Sequence, residues 1–350
     1  DESIQHLNLF VGWVLVYFLV TNLVDTENRF LVFMLSFLLY SLKMSQHATR
    51  SWIEAGFGFR SWGVTGAPGF FNNSGEFAIQ MTIFIPLSVY FILSLKKYWP
   101  TWKVALMCLL PATALLGVLA SSSRGGQLGV AAVIVVMAAK SRRKTKALLA
   151  MALVGLAGFL LLPQEQKDRF TTIGEDETSE TRLTYWEHAA EITNEHPVIG
   201  IGYKNWLPYY RARYNPNGEV PHSIYYEAST ELGYTGLLAF LLLIGVTLFL
   251  NRRTRRLARK CRGDPDFFVY MAHGLDAALV GFLVSGAFVT VLYYPYFWIN
   301  LAMTSALYTV ARKGASRRLV AVRPAAAAVA GNRPAKWSAP AARDGSFRVG

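Results

Sequence analysis

The sequence predicts an all-α polytopic membrane protein, a helical bundle with one long external loop that contains helices of its own. Three observations lead there. The 350 residues are 53% hydrophobic and 16% charged, with mean hydropathy +0.29, so the chain is richer in apolar and poorer in charged residues than soluble domains. Apolar runs near the roughly 20-residue length of a bilayer crossing recur along most of the chain. Basic residues collect in the short loops between them.

Nine spans are expected, at 7–24, 29–45, 76–95, 102–120, 126–140, 145–162, 232–250, 275–292 and 295–312. The first six form a region over 1–162 and the last three a region over 232–313. KKYWPTWK, KSRRKTK, NRRTRRLARKCR and the RKGASRR that opens the tail are all strongly basic, and placing them in the cytoplasm puts every other loop outside. The outer set is then the N-terminus, 46–75, SSSRGG, 163–231 and YYPY. Residues 314–350 have the Ala/Pro/Arg-rich composition of a disordered cytoplasmic tail whose basic residues meet anionic lipid. The chain opens on Asp1 in DESIQH, with no basic segment before an apolar one, and is expected to be a fragment or processed chain.

Composition excludes several classes. Cys108 lies in an apolar run and Cys261 in a basic loop, so neither a disulfide framework nor a cysteine metal site is expected. The six histidines have no metal-ligand spacing; His188 and His196 are eight apart with no matched ligand between them. No metal and no cofactor is expected. The net charge of +13 sits in juxtamembrane loops and the tail, without aromatic interleaving, which speaks against nucleic acid as a partner. The expected spans carry almost no ionisable side chains in their middles, which disfavours an ion-coupled transporter.

In the external loop 163–231 acids outnumber bases about two to one. SETRLTYWEHAAEITNEHP reads as a helix capped by Ser179, with Leu183, Trp186, Ala190 and Ile192 as its apolar face and Pro197 just past its end. VIGIGYKNW follows as a glycine turn. Its G-x-G lacks the leading strand, third glycine and following helix of a nucleotide site.

Four places can carry chemistry. In EVPHSIYYEASTELGYTGL, Pro221 suits a helix start, and a helix there puts His222, Tyr226 and Ser229 on one face and Glu227, Glu231 and Tyr234 on another. His222 is then either a general base, for which neutral imidazole is suited, or an interfacial histidine among belt tyrosines. Arg124 lies in ASSSRGGQLG, where small neighbours leave room for a phosphate, or it snorkels to head groups. Arg182, on the amphipathic helix, and Arg211 and Arg213, in PYYRARYNP, are further phosphate clamps or counter-charges to nearby acids. In FRSWGVTGAPGFFNNSGEFAIQM, Asn73 or Ser74 caps a membrane helix, and Arg60 stays open between roles.

SSSRG after a helix, an arginine-bearing helix running into HPVIGIGYKNW, and VPHSIYYEASTELGYTGL entering a span together resemble the O-antigen ligase family. That family includes O-antigen polymerases and protein-glycosylating members. The resemblance covers about residues 55 to 312. It implies a GT-C-type bundle and a metal-independent, inverting glycosyltransferase that takes glycan from undecaprenyl diphosphate on the periplasmic side of a bacterial inner membrane. By the same resemblance His222 is the general base and Arg124 and Arg182 bind the diphosphate, with Glu231 and Gly233 structural. Arg60, Arg211, Arg213 and Tyr226 stand as secondary candidates. The partners it implies are the lipid-linked donor, a glycan, lipid A-core or protein acceptor, and membrane lipids. The family commonly has about a dozen spans, so further helices are expected before Asp1. KMSQHATRSW is similar to O-glycosylation ligases found beside exosortase-type systems. From a different class, a flippase or transporter of lipid-linked oligosaccharide would use the same arginines as phosphate handles.

Overall fold

The structure, a computed structural model, describes residues 2–58, 63–67, 71–141, 177–261 and 264–331, with isolated positions between 144 and 167. Regular structure among these is helical: α1 (Glu2–Leu23), α2 (Glu27–Glu54), α3 (Ser74–Leu95), α4 (Thr101–Met107), α5 (Leu109–Ala120), α6 (Arg124–Lys140), α7 (Glu177–Glu195), α8 (Trp206–Arg213), α9 (Ile224–Ala258), α10 (Pro265–Gly286) and α11 (Pro295–Gly331). It is an all-α polytopic membrane protein. The segments 74–98, 101–120, 224–258 and 265–286 are long and apolar enough to cross a bilayer. The span expected at 145–162 lies outside the described residues.

Local chemistry sets the boundaries. The Asn73 side chain accepts from Glu76 N at 2.9 Å, and the Glu76 carboxylate accepts the Asn72 N–H at 2.8 Å, a reciprocal cap that starts α3. Pro111 has no N–H to offer the carbonyl one turn earlier, and the segment expected as one helix over 102–120 divides into α4 and α5 at Cys108.

The bundle has two distinct ends. At one, the Ser3 hydroxyl donates to Tyr203 O at 2.7 Å, and Val64 N donates to Ala120 O at 2.9 Å. At the other, Lys97 pairs with Asp264 and Lys313 with Asp25, each at 2.8 Å. Basic segments therefore gather at the end opposite α7 and α8. Helices α3 and α10 form the buried centre, while the membrane limb of α9 turns Leu238, Leu242 and Phe249 outward.

Two expectations are corrected. The span placed at 275–292 begins at Pro265, because Asp264 caps Asp266 N and proline suits the first helical turn. Asp276 thus stands midway along α10, bound at 2.7 Å by both Lys140 and Arg255 and at 2.9 Å by Asn251. The bundle interior does hold ionisable side chains. The tail expected to be disordered from 314 continues α11 to Gly331, through an alanine run of high helix propensity. Residues 332–350 lie outside the described residues.

Candidate active site

Beyond the spans, α7, α8 and the start of α9 enclose a core of their own, built from Tyr185, Ala189, Ile192, Trp206 and Tyr210. Helix α7 already includes Ser179, so the expected cap lies inside it. Its buried face is Tyr185, Ala189, Ile192 and Thr193, whereas Leu183 is 53% exposed. The aromatic partners decide this rotation, since Tyr185 packs edge-on against Tyr210 at 5.1 Å.

Glu231 and Gly233 fasten the 197–206 loop to α9. The Glu231 carboxylate is buried and accepts the backbone N–H groups of Lys204 at 2.8 Å and Trp206 at 3.2 Å. Ile201 N and Gly202 N donate to the carbonyls of Thr230 and Glu231, both at 2.9 Å, and Tyr234 N donates to Pro197 O at 2.8 Å. Those bonds interrupt the helix. Gly233, at φ +70°, takes the break, and a Cβ there would run into the Val198 carbonyl.

Side chains and backbone groups hold the chain leading to His222 at four points. Arg211 Nε donates to Gly218 O at 2.9 Å, Trp206 Nε1 to Glu219 O at 2.8 Å, Glu219 N to the Tyr185 hydroxyl at 3.1 Å, and Trp186 Nε1 to Pro221 O at 2.9 Å. His222 is thereby fixed at φ +49°, a left-handed conformation uncommon outside glycine. The helix expected to include His222 begins only at Ile224, because Ser223 is its N-cap residue. Down that helix the expected faces hold in part. Tyr226 stacks on Trp186 at 5.5 Å and Ser229 meets Thr193, whereas Glu227 and Glu231 turn toward Lys204. Tyr234 departs from its predicted face, bonding to Asn194 beyond the Gly233 break.

The His222 side chain is 23% exposed, with Nε2 3.5 Å from the Glu219 carboxylate. Burial holds its pKa below the usual histidine value, and the neighbouring Arg182 cation lowers it further, against the opposing pull of Glu219. Imidazole here is neutral and able to accept a proton at neutral pH. Arg182 and Trp186 are four residues apart on α7, so one helix face presents both toward the 219–222 segment.

Arg124 is the first residue of α6, after Ser123, whose hydroxyl accepts Gly126 N at 3.2 Å. The glycines beside it, expected to leave room for a phosphate, instead face neighbouring helices. Gly125 lies against Phe288, and Gly126 against Ala78, letting α6 pack closely on α10 and α3. Phe288 in turn lies 6.5 Å from the Trp186 ring, so one run of contacts leads from the Arg124 end of α6 to the His222 segment.

The remaining predicted residues take different places. Arg213 is ion-paired to Glu191 and Glu195 on the exposed side of α7, and Arg211 supports the Gly218 turn. Arg60 lies outside the described residues. Among the described residues no group of three or more His, Cys, Asp or Glu could hold a metal ion. Sequence reasoning gave Trp186 only a place on an apolar face and missed Glu219 and Lys204. The i, i+4 spacing of Arg182 with Trp186, and of Glu227 with Glu231, was the available signal.

Residues 109–241 match the family model described as O-Antigen ligase. A search of curated proteins found no match. The matched segment runs from α5 to the upper part of α9 and contains Arg124, Arg182 and His222.

Proposed function

Proceeding from membership of the O-antigen ligase family, which the match over residues 109–241 supports, we propose a division of labour for this membrane glycosyltransferase. The donor is a glycan on undecaprenyl diphosphate, the acceptor a hydroxyl on a glycan, lipid A-core or protein, and the reaction takes place at the periplasmic face of the inner membrane. His222 removes the acceptor proton. The acceptor oxygen attacks the anomeric carbon from the side opposite the diphosphate, the carbon–oxygen bond to the diphosphate breaks with inversion, and undecaprenyl diphosphate leaves with the electron pair. Arg124 and Arg182 stabilise the charge that builds on that leaving group, a task a divalent cation performs elsewhere. Glu219, 3.5 Å from His222 Nε2, favours the imidazolium that forms.

The observation that carries this reading is a half-buried, neutral histidine whose pKa is depressed in part by the Arg182 cation. A base and a phosphate handle are thus adjacent. The buried Asp276 cluster is the feature a flippase would use, since intramembrane charges commonly line transport paths. Proteoliposomes loaded with lipid-linked glycan separate the two. Acceptor-dependent release of undecaprenyl diphosphate supports transfer, and movement of intact lipid-linked glycan across the bilayer without release supports the flippase.

A further inference from the structure

The turn between α7 and α8 carries two large aliphatic side chains on its outside. Val198 is 61% exposed and Ile199 78%, and among the described residues no large apolar side chain is more exposed than Ile199. The turn is held in that shape. Gly200 N donates to His196 O at 3.1 Å, and Ile201 N and Gly202 N bond to α9. Gly200, at φ +66°, lies so close to the Thr230 and Glu231 backbone that a Cβ would overlap it. The turn is therefore pressed onto α9 with Val198 and Ile199 on its outer side.

Two bonds fix the height of that tip along α9. Tyr234 N donates to Pro197 O at 2.8 Å, and the Thr235 hydroxyl donates to Val198 O. Between Glu231 and Arg252, α9 carries no Asp, Glu, Lys or Arg. A bilayer crossing takes about 20 residues, so counting back from Arg252 starts the crossing near residue 232. Tyr234 and Thr235 lie in its first turn, and the tip bonded to them lies at the same level. Leu238 and Leu242, 58% and 60% exposed, follow on the same side of the helix. The apolar surface of the tip thus continues the lipid-facing limb of α9.

The tip also has the backbone that lipid requires, since an N–H or carbonyl left bare in a bilayer is costly. Pro197 has no N–H, and the carbonyls of Pro197 and Val198 are both bonded to α9. No Asp, Glu, Lys, Arg or His lies between His196 and Lys204.

We propose that the 197–199 tip is a membrane anchor. Val198 and Ile199 enter the leaflet at the α7–α8 end of the bundle, at the boundary between head groups and acyl chains. Helix α7 ends at Glu195, just before the tip, so the anchor holds the helix that carries Arg182 at a set height above the lipid. The partner is the bilayer itself, and the anchor does not depend on the chemistry proposed for His222.

The test uses the full-length chain in nanodiscs of phosphatidylcholine and phosphatidylglycerol. A nitroxide is placed on Ile199→Cys in a Cys108→Ser background, where the remaining Cys261 is buried. Reference labels go on Leu238→Cys, on the lipid-facing limb, and on Asn217→Cys, exposed on the external core. Collisions are measured with oxygen, which concentrates in lipid, and with a water-soluble nickel chelate, which lipid excludes. Nickel collisions at position 199 should be about tenfold or more rarer than at 217 and close to those at 238, the order by which burying one large aliphatic side chain shifts its partition. Oxygen collisions at 199 should equal or exceed those at 217. Nickel collisions as frequent at 199 as at 217 would leave the tip in water and overturn the proposal. Few collisions with either reagent would show the tip covered by protein, a second copy included, and would overturn it as well.

Discussion

Trp186 donates its indole N–H to the carbonyl of Pro221 at 2.9 Å, tying the helix that carries Arg182 to the residue before His222. The same indole stacks on Tyr226, so packing and hydrogen bonding at this point can be separated. Trp186→Phe keeps an aromatic ring over Tyr226 and loses the donor. The expected result is a roughly tenfold fall in kcat/KM, with at most about 1 kcal/mol of stability lost. Wild-type kinetics in this variant would show that the tether does not position His222.

The pH dependence of transfer should report the environment of His222. Burial and Arg182 lower its pKa, and Glu219 raises it, so the acidic limb of kcat/KM should lie below about pH 6.5. Arg182→Gln removes a lowering influence and should move the limb of the residual activity to higher pH. Glu219→Gln should move it the other way. A limb unmoved by either change would assign it to another group.

Gly233 and Glu231 should be costly positions. Gly233→Ala places a Cβ against the Val198 carbonyl at φ +70°, and Glu231→Ala leaves two buried N–H groups unbonded. Each should destabilise the protein by about 2–4 kcal/mol, read as a drop in thermal midpoint and as faster proteolysis of the 197–206 loop. Glu231→Gln, which keeps one acceptor oxygen, should cost less than Glu231→Ala.

Much of the fold was legible because hydropathy and caps act locally. Asn73, rather than Ser74, caps α3, and the apolar runs of α3 and α9 announce membrane helices. Long-range packing was not legible. The buried face of α7 is set by Tyr210 and Trp206 from α8, so no count along α7 alone finds it. Likewise His222 was read onto a helix because Pro221 suits a helix start. Bonds to Trp186, Trp206 and Tyr185 instead hold that segment out of the helix until Ser223. The placing of Arg182 beside His222 depends on the same bonds.

The most direct test of the central claim is a single-turnover measurement of undecaprenyl diphosphate release, with donor binding measured separately, for wild type and His222→Asn. Asparagine accepts the left-handed backbone of residue 222 but cannot serve as the base. The account predicts unchanged donor binding and a release rate lower by about 10²-fold or more. Release at the wild-type rate from His222→Asn would contradict it.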